Sequence, residues 1–194
     1  MKHKILFIMT RPLVLWFKLI RPVVNSWNKI YYTARLNAKV KNMDFSVQCD
    51  GPVFVIGTGK ISLGSRCRLG NDTQLTTMET GRIHIGNDTR INRGTTIVSY
   101  AEVTIDDFTI IGEYVTIRDA NHGLDLSEPM RFQPHTSKPI NIGRDVWIGR
   151  GVCILGGVTI GKGSVIGANS VVNKDIPPFS IAGGVPSRVI KTRA

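Results

Sequence analysis

From Pro139 to Lys174 an aliphatic side chain returns at every sixth position: Ile142, Ile148, Ile154, Ile160, Ile166 and Val172. Four places after each of the first five stands a small or β-branched residue: Val146, Val152, Val158, Ser164 and Ser170. A helix of 3.6 residues per turn cannot keep a period of six on one side. A flat strand of period two gives no reason to use only every sixth position. A chain that turns a corner every six residues does, and three such hexads close one triangular turn. The spacing runs upstream from about Val53 in sets of three: Leu63, Leu69, Leu75; Ile85, Ile91, Ile97; Ile105, Ile111, Ile117. Cys67, Thr73, Thr89, Thr95, Ala101, Thr109 and Val115 fill the small positions. The pattern predicts an all-β fold, a parallel β-helix of about five triangular coils, whose stacked interior makes a core that no single turn could bury. The gaps Thr76–His84 and Val98–Thr104 are expected to be corner loops. Gly follows four of the six aliphatics between 142 and 172, and the 20 glycines suit corners with unusual backbone angles.

One stretch breaks the period. Residues 118–139 carry no aliphatic repeat but hold Asp119, His122, Asp125, Glu128, Arg131 and His135. A loop this long inside a compact repeat points to function. Asn121-His122-Gly123 reads as an exposed imidazole beside a flexible joint. His135 reads as a loop residue, His84 in Ile83-His84-Ile85 as outward-facing, and Cys67 as core rather than nucleophile.

Charge divides the chain. The net charge is +11, yet residues 1–41 hold nine Lys and Arg and no acid. The domain after them is nearly neutral, which argues against nucleic acid and for an acidic surface met by the appendage. Residues 1–48 are therefore read as a basic, apolar helical arm. Arg11 interrupts its apolar run too early for a secretory signal, and Ile5–Thr10 and Pro12–Phe17 are too short to span a bilayer. Pro12 and Pro22 are expected to break it into short helical pieces. Trp16, Phe17, Trp27, Tyr31 and Tyr32 spaced by Lys and Arg suit either a segment in an anionic membrane interface or an arm packed on protein. Cys49, Cys67 and Cys153 form no CxxC and no even framework, which points to a reduced, cytoplasmic compartment. Residues 49–194 are the main domain, with 118–139 as its functional loop and 173–194 as a closing segment.

The hexads, the histidine loop, Trp147-Ile148-Gly149 and the closing run Val171–Pro178 with Gly183–Ile190 resemble the hexapeptide-repeat acyltransferase superfamily, most of all the sugar O-acetyltransferases that include the galactoside and maltose enzymes. The resemblance covers roughly residues 50–192. It implies a left-handed coil, acetyl-CoA as co-substrate, a sugar hydroxyl as acceptor, no metal, and a homotrimer with sites between subunits. Carried over position by position, it makes His122 the general base, and a neutral imidazole suits deprotonation of a hydroxyl near pH 7. It places Asn92 against the acceptor. It places Trp147, Gly149, Gly167 and Ala168 along the pantetheine arm, and Lys174, Arg188 and Lys191 at the CoA phosphates. Arg150 falls at a donor position where relatives often carry a small residue. An acidic acceptor contact of the galactoside enzymes falls near Ser99-Tyr100, where no acid stands. N-acetylation of an amino sugar nucleotide, a zinc site built from His84, His122 and His135, and a non-catalytic scaffold remain as alternative readings. The arm would hold the enzyme at the inner face of the membrane, beside a lipid-linked acceptor.

Overall fold

The computed structural model describes residues 2–193, with side chains from Thr10 onward. Lys2, Lys4 and most of the apolar run Ile5–Thr10 thus have side chains outside the described residues. One long helix, α1 (Lys2–Asn37), precedes 22 short strands among the described residues, 20 of which wind into three sheets of six, eight and six strands. A two-stranded hairpin takes the remaining two strands.

From Asn42 to Val172 the chain visits the three sheets in rotation, the hairpin apart. The first sheet holds Asn42–Met43, Ile61–Leu63, Arg82–Ile85, Glu102–Ile105, Ile140–Ile142 and Thr159–Ile160. The second holds Gln48–Cys49, Arg68–Leu69, Arg90–Ile91, Ile110–Ile111, Trp147–Ile148 and Val165–Ile166, then Ser180–Gly183 and Arg188–Thr192. The third holds Val53–Gly57, Thr73–Thr77, Thr96–Ser99, Thr116–Arg118, Cys153–Leu155 and Val171–Val172. All neighbours are parallel except the final pair of the second sheet, which is antiparallel. This is a mostly parallel β-helix with one N-terminal helix. Its first rungs lie upstream of the regular aliphatic spacing.

The hexad aliphatics stack in register. Ile85, Ile105, Ile142 and Ile160 form one interior column, Ile91, Ile111, Ile148 and Ile166 a second, and Leu75, Ile97, Ile117, Ile154 and Val172 a third. All are buried, and each contributes about 1.5–3 kcal/mol of burial. The small positions are buried between them, Cys67 included. Ala101 is the exception: it lies half-buried at a corner. The two expected gaps are shorter than the spacing suggests, because Thr73–Thr77 and Thr96–Ser99 run on as strands and leave only residues 78–81 and 100–101 to turn.

The corner glycines that follow the aliphatics have a different cause from the expected one. Gly149 and Gly161 have ordinary φ, but a Cβ at Gly149 would stand 2.6 Å from the Ala168 nitrogen, and one at Gly161 2.4 Å from the Pro178 nitrogen. Close approach of the next rung excludes a side chain there. The left-handed position of each corner is filled as often by other residues, Arg66, Asp88, Phe108, Tyr114 and Asp145 among them.

α1 is continuous through Pro12 and Pro22, contrary to the expected breaks. Each proline removes one N–H, and a helix this exposed leaves the freed carbonyl open to solvent, where the loss costs least. Among the described side chains of α1, those of its last turns touch the solenoid. Leu36 is buried over the first coil, Tyr32 packs beside it, Thr33 Oγ1 accepts the Cys49 N–H at 3.0 Å, and Lys29 reaches Asp50 at 3.8 Å. Those turns cap the open end of the core, as solenoids require.

Candidate active site

Two corners of the triangular coil carry the candidate residues. The interruption at 118–139 leaves the corner between the third and first sheets and is more ordered than its sequence suggests. Ala120–His122 pairs antiparallel with His135–Ser137, which sets His122 opposite His135. Their exposed rings lie 4.5 Å apart, and His135 stacks on Tyr100 at 4.6 Å. His135 is thus a strand residue in contact with the candidate base, not an isolated loop residue.

Asp119 anchors this hairpin. Its side chain is 1% exposed. Oδ2 accepts the Ser99 hydroxyl and the Ala101 N–H, both at 2.9 Å, and Oδ1 accepts the Tyr100 N–H at 2.8 Å. Three donors are what a buried carboxylate needs to offset its lost hydration. The Asp119 carbonyl accepts the Lys138 N–H at 2.8 Å, closing the neck of the insertion. At the far end Gln133 is buried; Nε2 donates to the Asp125 and Glu128 carbonyls, and Oε1 accepts the Asp125 N–H. An acid therefore does stand at Ser99-Tyr100, supplied from 19 residues onward, and its contacts are spent on the fold.

Asn92 lies at the other corner, between the second and third sheets. It opens the turn after Arg90–Ile91, as Gly112, Gly149 and Gly167 do in later coils. Within one chain the width of the third sheet, about 13 Å for four strand residues, separates it from His122. Gly167 is the open member of this column: a Cβ there would have no neighbour nearer than 3.5 Å. Ala168 is exposed beside it. Arg150 lies 5.4 Å over the Tyr114 ring, which Arg93 also approaches at 5.4 Å.

Trp147 stands 56% exposed on the outside of the second sheet. Strand register continues from it through Val165 and Ile181 to Lys191, a row of about 14 Å. Arg188 pairs with Gly183 at the end of the same strands. Trp147, Gly149, Arg150, Gly167, Ala168, Arg188 and Lys191 thus share one face and its edge. Lys174 does not: it follows Val171–Val172 at the hairpin corner.

Burial raises the thiol pKa of Cys49, to about 11, and raises those of Cys67 and Cys153. None of the three is a ready thiolate nucleophile at neutral pH. Among the described residues no group of three or more His, Cys, Asp or Glu side chains is arranged to hold a metal. His84 is on the first sheet with Nδ1 2.7 Å from the Ser62 hydroxyl. Sequence reasoning named His135, Tyr100 and Asp119 but missed that they build and anchor the hairpin that carries His122. The signal for Tyr100 was its place at a corner directly preceding the interruption by one coil.

The fold and these corners define a class of protein. The profile of the bacterial transferase hexapeptide family (six repeats) matches residues 139–174. The chain is 34% identical over 148 residues to WbbJ of Escherichia coli, described as a putative lipopolysaccharide biosynthesis O-acetyl transferase; the match covers 72% of this chain and 76% of that protein. The chain belongs to the hexapeptide-repeat acetyltransferases. It is 48% identical over 109 residues to the galactoside O-acetyltransferase of E. coli, covering 56% of this chain. The chain spans about half the length of that enzyme and of another curated relative, 53% and 52%. A hexapeptide-repeat acetyltransferase of Vibrio cholerae, solved with acetyl coenzyme A, superposes with a TM-score of 0.56 at 35% identity, covering 72% of this chain and 71% of that one.

Proposed function

We propose that the protein transfers an acetyl group from acetyl-CoA to a hydroxyl of a sugar in a surface polysaccharide or its lipid-linked precursor, with His122 as general base. The observation that carries this reading is the exposed His122 imidazole on a hairpin anchored by a buried carboxylate, in a chain of this family. The imidazole takes the hydroxyl proton as the oxygen attacks the thioester carbonyl. The C–S bond then breaks, and the protonated imidazole returns the proton to the departing CoA sulfur. With no ready thiolate, direct transfer needs no acyl-enzyme. Gly149, Gly167 and Ala168 offer a bare edge for the pantetheine arm, Trp147 a wall, and Arg188 and Lys191 charge for the phosphates. Arg150, held over Tyr114, sits at the mouth of that edge. Lys174 contributes from the hairpin corner.

That split supports the homotrimer. If the third sheets face a common three-fold axis, the hairpin corner of one copy meets the corner bearing Asn92 and Gly149 of the next. The donor and acceptor sites are then completed between chains. A cyclic assembly of three in sedimentation velocity supports this; a catalytically active monomer sinks it.

The arm supports a peripheral place at the cytoplasmic leaflet, where anionic lipid and a lipid-linked acceptor meet. Leu13, Trp16, Val23, Trp27 and Ile30 fall on one side of α1 at helical spacing and are all exposed. Lys18, Arg21 and Lys29 stand on the other. No helix among the described residues is long and apolar enough to cross a membrane. Co-sedimentation with vesicles containing phosphatidylglycerol, lost in Trp16→Ser/Trp27→Ser, tests this and leaves the Leu36 cap in place. The chemistry is tested by incubating the protein with acetyl-CoA and a panel of saccharides. The expected product is a base-labile ester, absent with His122→Ala; a base-stable amide would assign N-acetylation instead.

A further inference from the structure

We infer that the groove on the first sheet below the histidine hairpin binds the phosphate or diphosphate of a glycosyl acceptor, so that its sugar reaches His122. This rests on the transferase reading above and adds the acceptor's chemical class. The groove has a volume of about 470 Å³ and is lined by Lys41, Lys60, Ser62, Arg82, His84 and Glu102.

Its lining sets three cations, Lys41, Lys60 and Arg82, around one cavity. Arg66, Arg68, Arg144 and Arg193 each meet an aspartate, at Asp88, Asp50, Asp107 and Asp145. Among the described residues no ion pair takes up Lys41, Lys60 or Arg82. Lys60 and Arg82 nevertheless occupy the same register position on adjacent strands, set by Ile61 opposite Ile83. Such strands lie about 4.8 Å apart, and like charges side by side are unfavourable. Glu102 stands opposite Arg82 on the next strand and is the lone acid of the lining. Among the described residues Lys60 Nζ meets only the Glu79 carbonyl, at 3.4 Å. His84 is oriented by its 2.7 Å contact with Ser62 through Nδ1, which leaves Nε2 for a ligand. A guanidinium fork, two ammonium groups and an imidazole match the several oxygens and charges of a phosphate ester.

The groove begins where the histidine row ends. Tyr100, on which His135 stacks, is two residues before Glu102. Arg82 and Lys60 lie one and two rungs further down, about 5 and 10 Å. An anion on Lys60 and Arg82 thus leaves room for a sugar between them and the imidazoles.

Two measurements test this. In the first, inorganic pyrophosphate is titrated calorimetrically into protein already saturated with CoA, so that the donor site is filled. Lys60→Ser/Arg82→Ser should weaken its binding at least about tenfold; unchanged binding overturns the proposal. In the second, acetyl transfer is followed to a nucleotide-diphosphate sugar, a short polyprenyl-diphosphate sugar, a glucuronide and a neutral oligosaccharide. The same double substitution should raise KM for a diphosphate acceptor about tenfold and leave KM for acetyl-CoA unchanged. Whichever diphosphate acceptor has the lower KM identifies the source. Equal use of the neutral oligosaccharide, or preference for the glucuronide, overturns it. If pyrophosphate binding depends on Lys60 and Arg82 but no acceptor is acetylated, the transferase reading falls with the acceptor assignment, and the groove stands as an anion site alone.

Discussion

The corner between the second and third sheets and the corner between the third and first are built on opposite plans. At the first, Asn92, Gly112, Gly149 and Gly167 open the same turn coil after coil, and past Asn92 what they offer a ligand is bare backbone. At the second, successive turns hold Tyr100-Ala101, a 21-residue insertion and then Gly156–Val158, and what they offer is side chains. A long, flexible thioester such as acetyl-CoA suits a smooth edge. Proton transfer needs a placed imidazole. On the proposed reading, one coil would give each its own corner, and neither requirement would disturb the other.

The largest test of this division is His122→Ala. General-base catalysis is worth about 10²–10⁴-fold, so kcat should fall by that range while acetyl-CoA binding, read by calorimetry, stays put. If His135→Ala costs as much as His122→Ala, the assignment of the base within the pair is broken. Next comes Asp119→Ala, which strips the Ser99 hydroxyl and the Tyr100 and Ala101 N–H groups of their acceptor. It should cost on the order of 3 kcal/mol of stability, seen as a lower melting temperature. A smaller pair sharpens the smooth corner. Gly149→Ala drives a methyl into the Ala168 backbone and should destabilise by about 1–3 kcal/mol. Gly167→Ala meets nothing within 3.4 Å and should leave the melting temperature alone while raising KM for acetyl-CoA. The smallest effect is in acid. The Arg68 guanidinium, bonded to both Asp50 oxygens at 2.7 Å, holds that carboxyl below its ordinary pKa. The stabilisation is present above about pH 4, the unfolded value, and is lost as pH falls through the folded one. Arg68→Ala should therefore flatten the acid limb of a stability profile, by less than about 1 kcal/mol because the pair is exposed.

The coil was legible because every turn repeats one demand: Ile85, Ile105 and Ile142 all fill the same interior slot, so the spacing states the fold many times over. His122 stood out because that demand stops around it. The hairpin itself was not legible. Its strands are three residues each, Ala-Asn-His and His-Thr-Ser, too short and polar for a period, and they are held by Asp119 and Gln133 through hydrogen bonds that leave no hydrophobic trace. The split between Asn92 and His122 follows from which corner each hexad turns, and that was countable from the sequence. The unbroken α1 was misread for a different reason: proline costs a helix most where the freed carbonyl is buried, and burial is a property of the fold.

The insertion leaves the coil as though it had never departed. Ile117 pairs with Ile97 before it and with Ile154 after it, and Val103 meets Ile140 across it, with no slip in register. The neck between Asp119 and Lys138 is a single backbone hydrogen bond of 2.8 Å. The corner therefore behaves as a socket: whatever is plugged in between those two residues, the rungs above and below do not feel it. A lineage, or a designer, can exchange the tool held there for another acceptor without recutting the handle.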